Sequence, residues 1–159
     1  MSPQLIDTFI DSEPSEAWLE PLSELEKILL AVRSGPRSGV RKDLEEVVEK
    51  LRIRVTGALR SYLVNLFTPY RTSITPNLGI LQTSILVKYR PFFAFLQRHA
   101  ARAAHEVQKA YISTAQWYYE TGFRRYVRAL ERVRARSVMK DDTIGVATNA
   151  DNPLCALLR

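Results

Sequence analysis

Residues 40–67 read VRKDLEEVVEKLRIRVTGALRSYLVNLF. Apolar side chains recur at Leu44, Val47/Val48, Leu51, Val55, Ala58/Leu59, Tyr62/Leu63 and Leu66. Steps of three and four put them on one face of an α-helix of roughly seven turns. Gly57 interrupts that helix at a cost of about 1 kcal/mol relative to alanine, which packing can offset. A helix this long with one apolar face needs other elements to cover it, and the rest of the chain supplies them. Upstream, the breaker cluster Ser34-Gly35-Pro36-Arg37-Ser38-Gly39 separates it from residues 15–33. There Trp18, Leu22, Leu25, Ile28, Leu29 and Val32 form a second stripe, with Ser12 or Ser15 as candidate caps. Residues 1–14 start polar and hold Pro3 and Pro14, so they read as a loosely ordered segment.

Downstream, TPYRTSITP at 68–76 is a connection. A third helix is expected over 77–98, kinked or broken for a turn near 88–91, because Pro91 lacks an N–H and clashes with the preceding turn. Tyr89, Phe92, Phe93 and Phe95 would pack around the bend as core, or form a partner site if exposed. A fourth helix spans about 102–139, where Val107, Tyr111, Thr114/Ala115, Tyr118, Gly122, Tyr126, Leu130 and Val133 step by three or four. Residues 140–159 lose all periodicity and read as a flexible polar tail. The expected fold is all-α, with about four main helices over 15–139. It is an antiparallel helical bundle or a segment of an elongated helical rod.

With 46% hydrophobic residues among 159, the chain can build a core without crosslinks. Its single cysteine, Cys155, rules out an internal disulfide framework. No apolar run approaches the ~20 residues that span a bilayer, and the first ten residues lack the basic start of a signal peptide. A cytoplasmic protein is the expectation.

The net charge of +6 is unevenly spread: residues 1–50 carry −5, residues 51–140 carry +13, and residues 141–159 carry −2. Such a basic middle attracts acidic partners. Alternatively, the acidic head lies along it and compensates it. The sharpest cationic feature is an i,i+4 ridge of Arg124, Arg128, Arg132 and Arg136, flanked by Arg125 and Arg134. Arg124, Arg125, Arg128 and Arg132 are the candidate partner surface. The alternatives for the ridge are a solvated face, or contact with nucleic acid or anionic lipid. Tyr118, Tyr126 and Leu130 align with the apolar stripe and so read as core, which removes the stacking platform that single-stranded RNA needs.

Catalytic signals are missing. Glycine-rich phosphate loops and nucleophile elbows are absent from the sequence. His99 and His105 are six apart, on different helix faces, and lack the spacing of a zinc helix. Asp141-Asp142 lacks the further oxygens of a calcium loop. Glu106, Glu120 and Glu131 show no acid–base pairing. Neither an enzyme, a cofactor, a metal nor a small-molecule substrate is expected.

Longer strings are more specific. Ile80-Leu81-Gln82-Thr83-Ser84-Ile85-Leu86-Val87-Lys88-Tyr89-Arg90-Pro91-Phe92-Phe93-Ala94-Phe95-Leu96 is followed by Glu106-Val107-Gln108-Lys109-Ala110-Tyr111. Then come Trp117-Tyr118-Tyr119, Phe123-Arg124-Arg125-Tyr126 and Lys140-Asp141-Asp142-Thr143-Ile144-Gly145-Val146. This order, over about residues 50–148, resembles the vacuolar protein sorting-associated protein 52 family. Pro91 and the arginine-rich fourth helix depart from the family's pattern. Members are much longer, so the resemblance implies an internal piece. It also implies a non-enzymatic subunit of the Golgi-associated retrograde protein complex, a vesicle tether in endosome-to-trans-Golgi retrograde transport. The implied partners are sister subunits, a Golgi Rab GTPase in its GTP form, and SNAREs; nucleic acid is not among them. The implied location is peripheral, at trans-Golgi network and endosomal membranes.

Overall fold

The computed structural model describes residues 3–34 and 39–137. Its helices are α1 (Pro3–Asp11), α2 (Leu19–Ser34), α3 (Gly39–Leu66), α4 (Thr68–Thr72), α5 (Leu78–Ile80), α6 (Leu86–Lys88), α7 (Arg90–His99) and α8 (Ala101–Ser137). A 3-10 turn, Glu16–Trp18, leads into α2, and a π-helical turn, Leu81–Ile85, joins α5 to α6. The described residues contain no strand, and the fold is all-α.

The N-terminal segment differs from expectation. Residues 1–14 were to be loosely ordered, but Pro3–Asp11 is a helix. The reason lies in Leu5 and Phe9, which are four apart and buried, packing α1 against α2 and α3. Phe9 meets Trp18 edge-on at 4.8 Å, and the Trp18 indole N–H donates to Ser12 Oγ at 2.8 Å. Pro3 is no obstacle at a first helical position, where its missing N–H would have no partner anyway. Ser15 takes the N-cap position of the 3-10 turn in extended backbone but makes no side-chain capping bond.

Side-chain pairs fix the helix directions within the first unit. Leu29, Val32 and Arg33 of α2 share a cleft with Glu45, Val48 and Glu49 of α3. On α3 and α7, Arg52 bonds the His99 carbonyl while Tyr62 meets Phe92, so the two helices run antiparallel. On α3 and α8, Arg60 pairs with Glu106 and Phe67 meets Tyr111, so these two run in the same direction. The result is up-down-up-down: α2, α3, α7, α8. The core is Leu22, Leu25 and Leu29 of α2, Val48 through Leu63 of α3 in steps of three and four, Phe92, Phe95 and Leu96 of α7, and Ala104 and Val107 of α8. Leu44 and Val47, expected on the buried stripe, are exposed.

The bend expected near Pro91 falls at Tyr89, whose φ of −93° and ψ of 16° end α6 and start α7. Pro91 then lies in the first turn of α7, where a missing donor is harmless. Upstream, Asn77 caps α5 by accepting a hydrogen bond from the Gly79 N–H at 2.8 Å.

The chain divides into two compact units, Met1–Thr121 and Gly122–Arg159, the second described as far as Ser137. In that second unit Tyr126, Leu130 and Val133 are exposed, at 61%, 50% and 66%, although the sequence reading places them in the core. The difference is not a matter of faces: every side chain from Phe123 to Arg134 is exposed, including Arg125, which helical spacing returns to the face of buried Val107 and Thr114. The expected tail at 140–159, with Asp141, Asp142 and Cys155, lies outside the described residues.

Candidate partner-binding surfaces

The four aromatics around the bend separate into two pairs. Phe92 and Phe95 are fully buried core. Tyr89 and Phe93 are half-buried and line an apolar pocket of about 370 Å3. Its walls come from five elements: Leu63 and Phe67 at the end of α3, Gln82 from the π turn, Leu86 from α6, Phe93 from α7, and Val107 and Tyr111 from α8. Gln82 Nε2 donates to the Tyr111 hydroxyl at 2.7 Å, tying the π turn to α8 across one wall. Exposed Val87, Arg90 and Gln108 complete the lining. Tyr62 braces the pocket's aromatic side, edge-on to Tyr89 at 5.2 Å. Burial, and then its bond with Tyr89, push the Tyr62 phenol above the ordinary tyrosine range, so it stays neutral. An apolar, half-open pocket with one cation and two amides suits an apolar anchor from a partner.

The second surface is the segment 122–134 of α8, whose side chains from Phe123 onward are all exposed. Arg124, Arg125, Arg128 and Arg132 are exposed as expected. Helical spacing puts Phe123, Tyr126, Val127, Leu130 and Val133 within about 120° of one another, and Arg128 and Arg132 on the opposite side. The sequence reading places Tyr126, Leu130 and Val133 of this stripe in the core, and all three are exposed. Periodicity shows that a helix has an apolar face, not whether any element covers it.

The family model described as Vps52/Sac2 family, coiled-coil, matches residues 1–96. The chain belongs to the Vps52/Sac2 family. Vacuolar protein sorting-associated protein 52 A of Arabidopsis thaliana is 33% identical over 149 residues, covering 92% of this chain and 21% of that protein. The Homo sapiens homologue is 30% identical over 150 residues, with 92% and 20% covered. The Schizosaccharomyces pombe protein is 27% identical over 154 residues, with 92% and 30% covered. The chain thus spans between a fifth and a third of the length of these relatives. No solved structure matches. The Vps52/Sac2 coiled-coil match ends at Leu96, late in α7, so it takes in the α2–α3–α7 core while α8 lies beyond it.

In this Vps52 segment the acidic head and basic middle do meet at points. Glu16 pairs with Lys88, and Glu26 pairs with Arg98 at 2.7 Å. Glu26 also lies 3.4 Å from His99 Nε2. The His99 side chain is only 3% exposed and stacks at 4.6 Å on Phe95. Its Nδ1 is buried without a hydrogen-bond partner among the described residues. Burial dominates here and holds the imidazole below its ordinary pKa, against the opposing pull of Glu26. His105 is exposed on another face. Among the described residues, no group of three or more His, Cys, Asp or Glu could hold a metal ion, and no helix is long and apolar enough to cross a membrane.

Proposed function

We propose that the chain is part of a non-enzymatic subunit of the Golgi-associated retrograde protein complex, a multisubunit vesicle tether in endosome-to-trans-Golgi retrograde transport. In this reading it is cytoplasmic and peripheral to trans-Golgi and endosomal membranes. Its partners are the sister subunits, a Golgi Rab GTPase in its GTP form, and SNAREs.

The Vps52/Sac2 family match is the observation that carries this reading. The two surfaces support it by their chemistry. The pocket walled by Tyr89 and Phe93 offers an apolar hot spot, and a GTPase switch surface presents apolar side chains to fill one. Arg124, Arg125, Arg128 and Arg132 offer a cationic surface of their own to an acidic sister subunit or the GTPase, acting mainly on the association rate.

Isothermal titration of the chain against the GTP- and GDP-loaded GTPase, and against each sister subunit, tests this. Binding is expected to at least one sister subunit, and to the GTPase only with GTP. Phe93→Glu should weaken the GTPase interaction about tenfold or more. Joint replacement of Arg124, Arg128 and Arg132 by Glu should weaken at least one interaction clearly, with circular dichroism showing the helices intact. Failure of the chain to bind any of these partners sinks the reading. Affinities for the triple variant within about a factor of two of the parent would return the arginines to plain solvated surface.

A further inference from the structure

Residues 122–134 of α8 combine two properties that the tether reading leaves unused together. One face carries Phe123, Tyr126, Val127, Leu130 and Val133, exposed by 67%, 61%, 49%, 50% and 66%. Most of the remaining circumference is cationic, while Arg134 falls within the apolar arc itself. Residues 122–137 hold Arg124, Arg125, Arg128, Arg132, Arg134 and Arg136 against the single acid Glu131, a net charge of +5.

From this pairing we propose that the segment lies in the plane of an anionic lipid surface, with its apolar face sunk into the boundary between headgroups and acyl chains. A surface helix of this kind needs large apolar residues on one side and arginines on the other. Phe123 and Tyr126 are suited to the interface, and the flanking arginines have stems long enough to reach phosphates while lying along apolar material.

Charge decides between this occupant and a protein helix. In paired helices, the residues that select a partner flank the apolar seam. Here one edge of the stripe, Gly122 and Ala129, offers a partner helix no charge to pair with, and the other carries Glu131 beside Arg124. Arg128 and Arg132 point to the far side, out of reach of a helix seated on the stripe. A charged sheet still attracts them, because the Debye length of about 8 Å is comparable to the helix diameter of about 10 Å. A second copy of the chain is a poor occupant, since it would bring the same +5 against the stripe. The inference goes beyond the tether reading, because it needs neither a GTPase nor a sister subunit.

Co-sedimentation of the 159-residue chain with vesicles tests it. One set is pure phosphatidylcholine, and the other is phosphatidylcholine with one part in four phosphatidylserine. Binding is expected to the second set and not the first, falling as salt rises. The double variant Phe123→Glu/Leu130→Glu should lose about tenfold or more. Replacing Arg125, Arg128 and Arg132 by Gln should lose several-fold. All five positions are exposed, so circular dichroism should show the parent helix content. No binding to the anionic vesicles, equal binding to both sets, or unchanged binding of the Phe123→Glu/Leu130→Glu variant would each overturn the proposal. Loss of a sister subunit by that variant, with no vesicle binding by the parent chain, would mark the stripe as a protein interface and leave the tether reading standing.

Discussion

His99 is an imidazole kept neutral by its surroundings. Its depressed folded-state pKa means that the native state takes up a proton less readily than the unfolded chain, whose histidine titrates near 6.5. The stability this contributes is complete above that value and is lost as pH falls toward the lower native one. Denaturant melts taken from about pH 7 to about pH 5 should therefore show falling stability in the parent. His99→Phe, which keeps the ring stack on Phe95, should flatten that slope. Identical slopes in the two proteins would show that His99 does not govern the acid limb. Burial separates two other residues. Phe92→Ala should cost about 3–5 kcal/mol, since its ring is fully buried. Tyr126→Ala should stay within about 0.5 kcal/mol, as an exposed site does. Similar melting temperatures for these two variants would contradict the burial of Phe92 in α7 or the exposure of Tyr126 in α8.

Among the elements, α3 offers the simplest stabilising change. A Cβ built on Gly57 meets nothing within 4 Å, and the site is exposed mid-helix. Gly57→Ala should add about 0.4–1 kcal/mol, visible as a rise in Tm of a few degrees. An unchanged or lower Tm would mean that the glycine's surroundings are tighter than this geometry. For α1 the expectation runs the other way: Phe9→Ala should destabilise by about 3 kcal/mol or more, whereas a loosely ordered segment would give almost none. The long helices could be read from the sequence because their stripes repeat over many turns. So could the bend at Tyr89, because Pro91 imposes it. The short α1 could not, because two apolar residues four apart make too brief a pattern to outweigh two prolines. The π turn at Leu81–Ile85 was also hidden, since LQTSI carries the composition of an ordinary helix. As for the candidate surfaces, the arginine ridge was plain in the spacing. The pocket was not, because its walls come from five elements that only the tertiary fold brings together.

Charge is the property that belongs to the molecule as a whole. The −5 head and +13 middle are joined by a few pairs, among them Glu16–Lys88 and Glu26–Arg98. Glu16 and Lys88 are both well exposed, so their pair is worth at most about 1 kcal/mol. Raising salt should therefore move the melting temperature little while strongly weakening attraction to anionic surfaces, whose range salt shortens directly. A steep loss of thermal stability in high salt would instead show that head–middle compensation holds the fold together.

The full exposure of 123–134 has a consequence for mutational tolerance. No side chain there is part of the buried core, so substitutions that preserve helicity should leave cellular abundance unchanged. Selection can then act on this stretch only through what it touches. A deep mutational scan scored for abundance would be nearly flat across Phe123, Tyr126, Leu130 and Val133, and steep at Leu63, Phe92 and Val107. The same library scored for growth would peak at the first set, if a partner or a surface reads it.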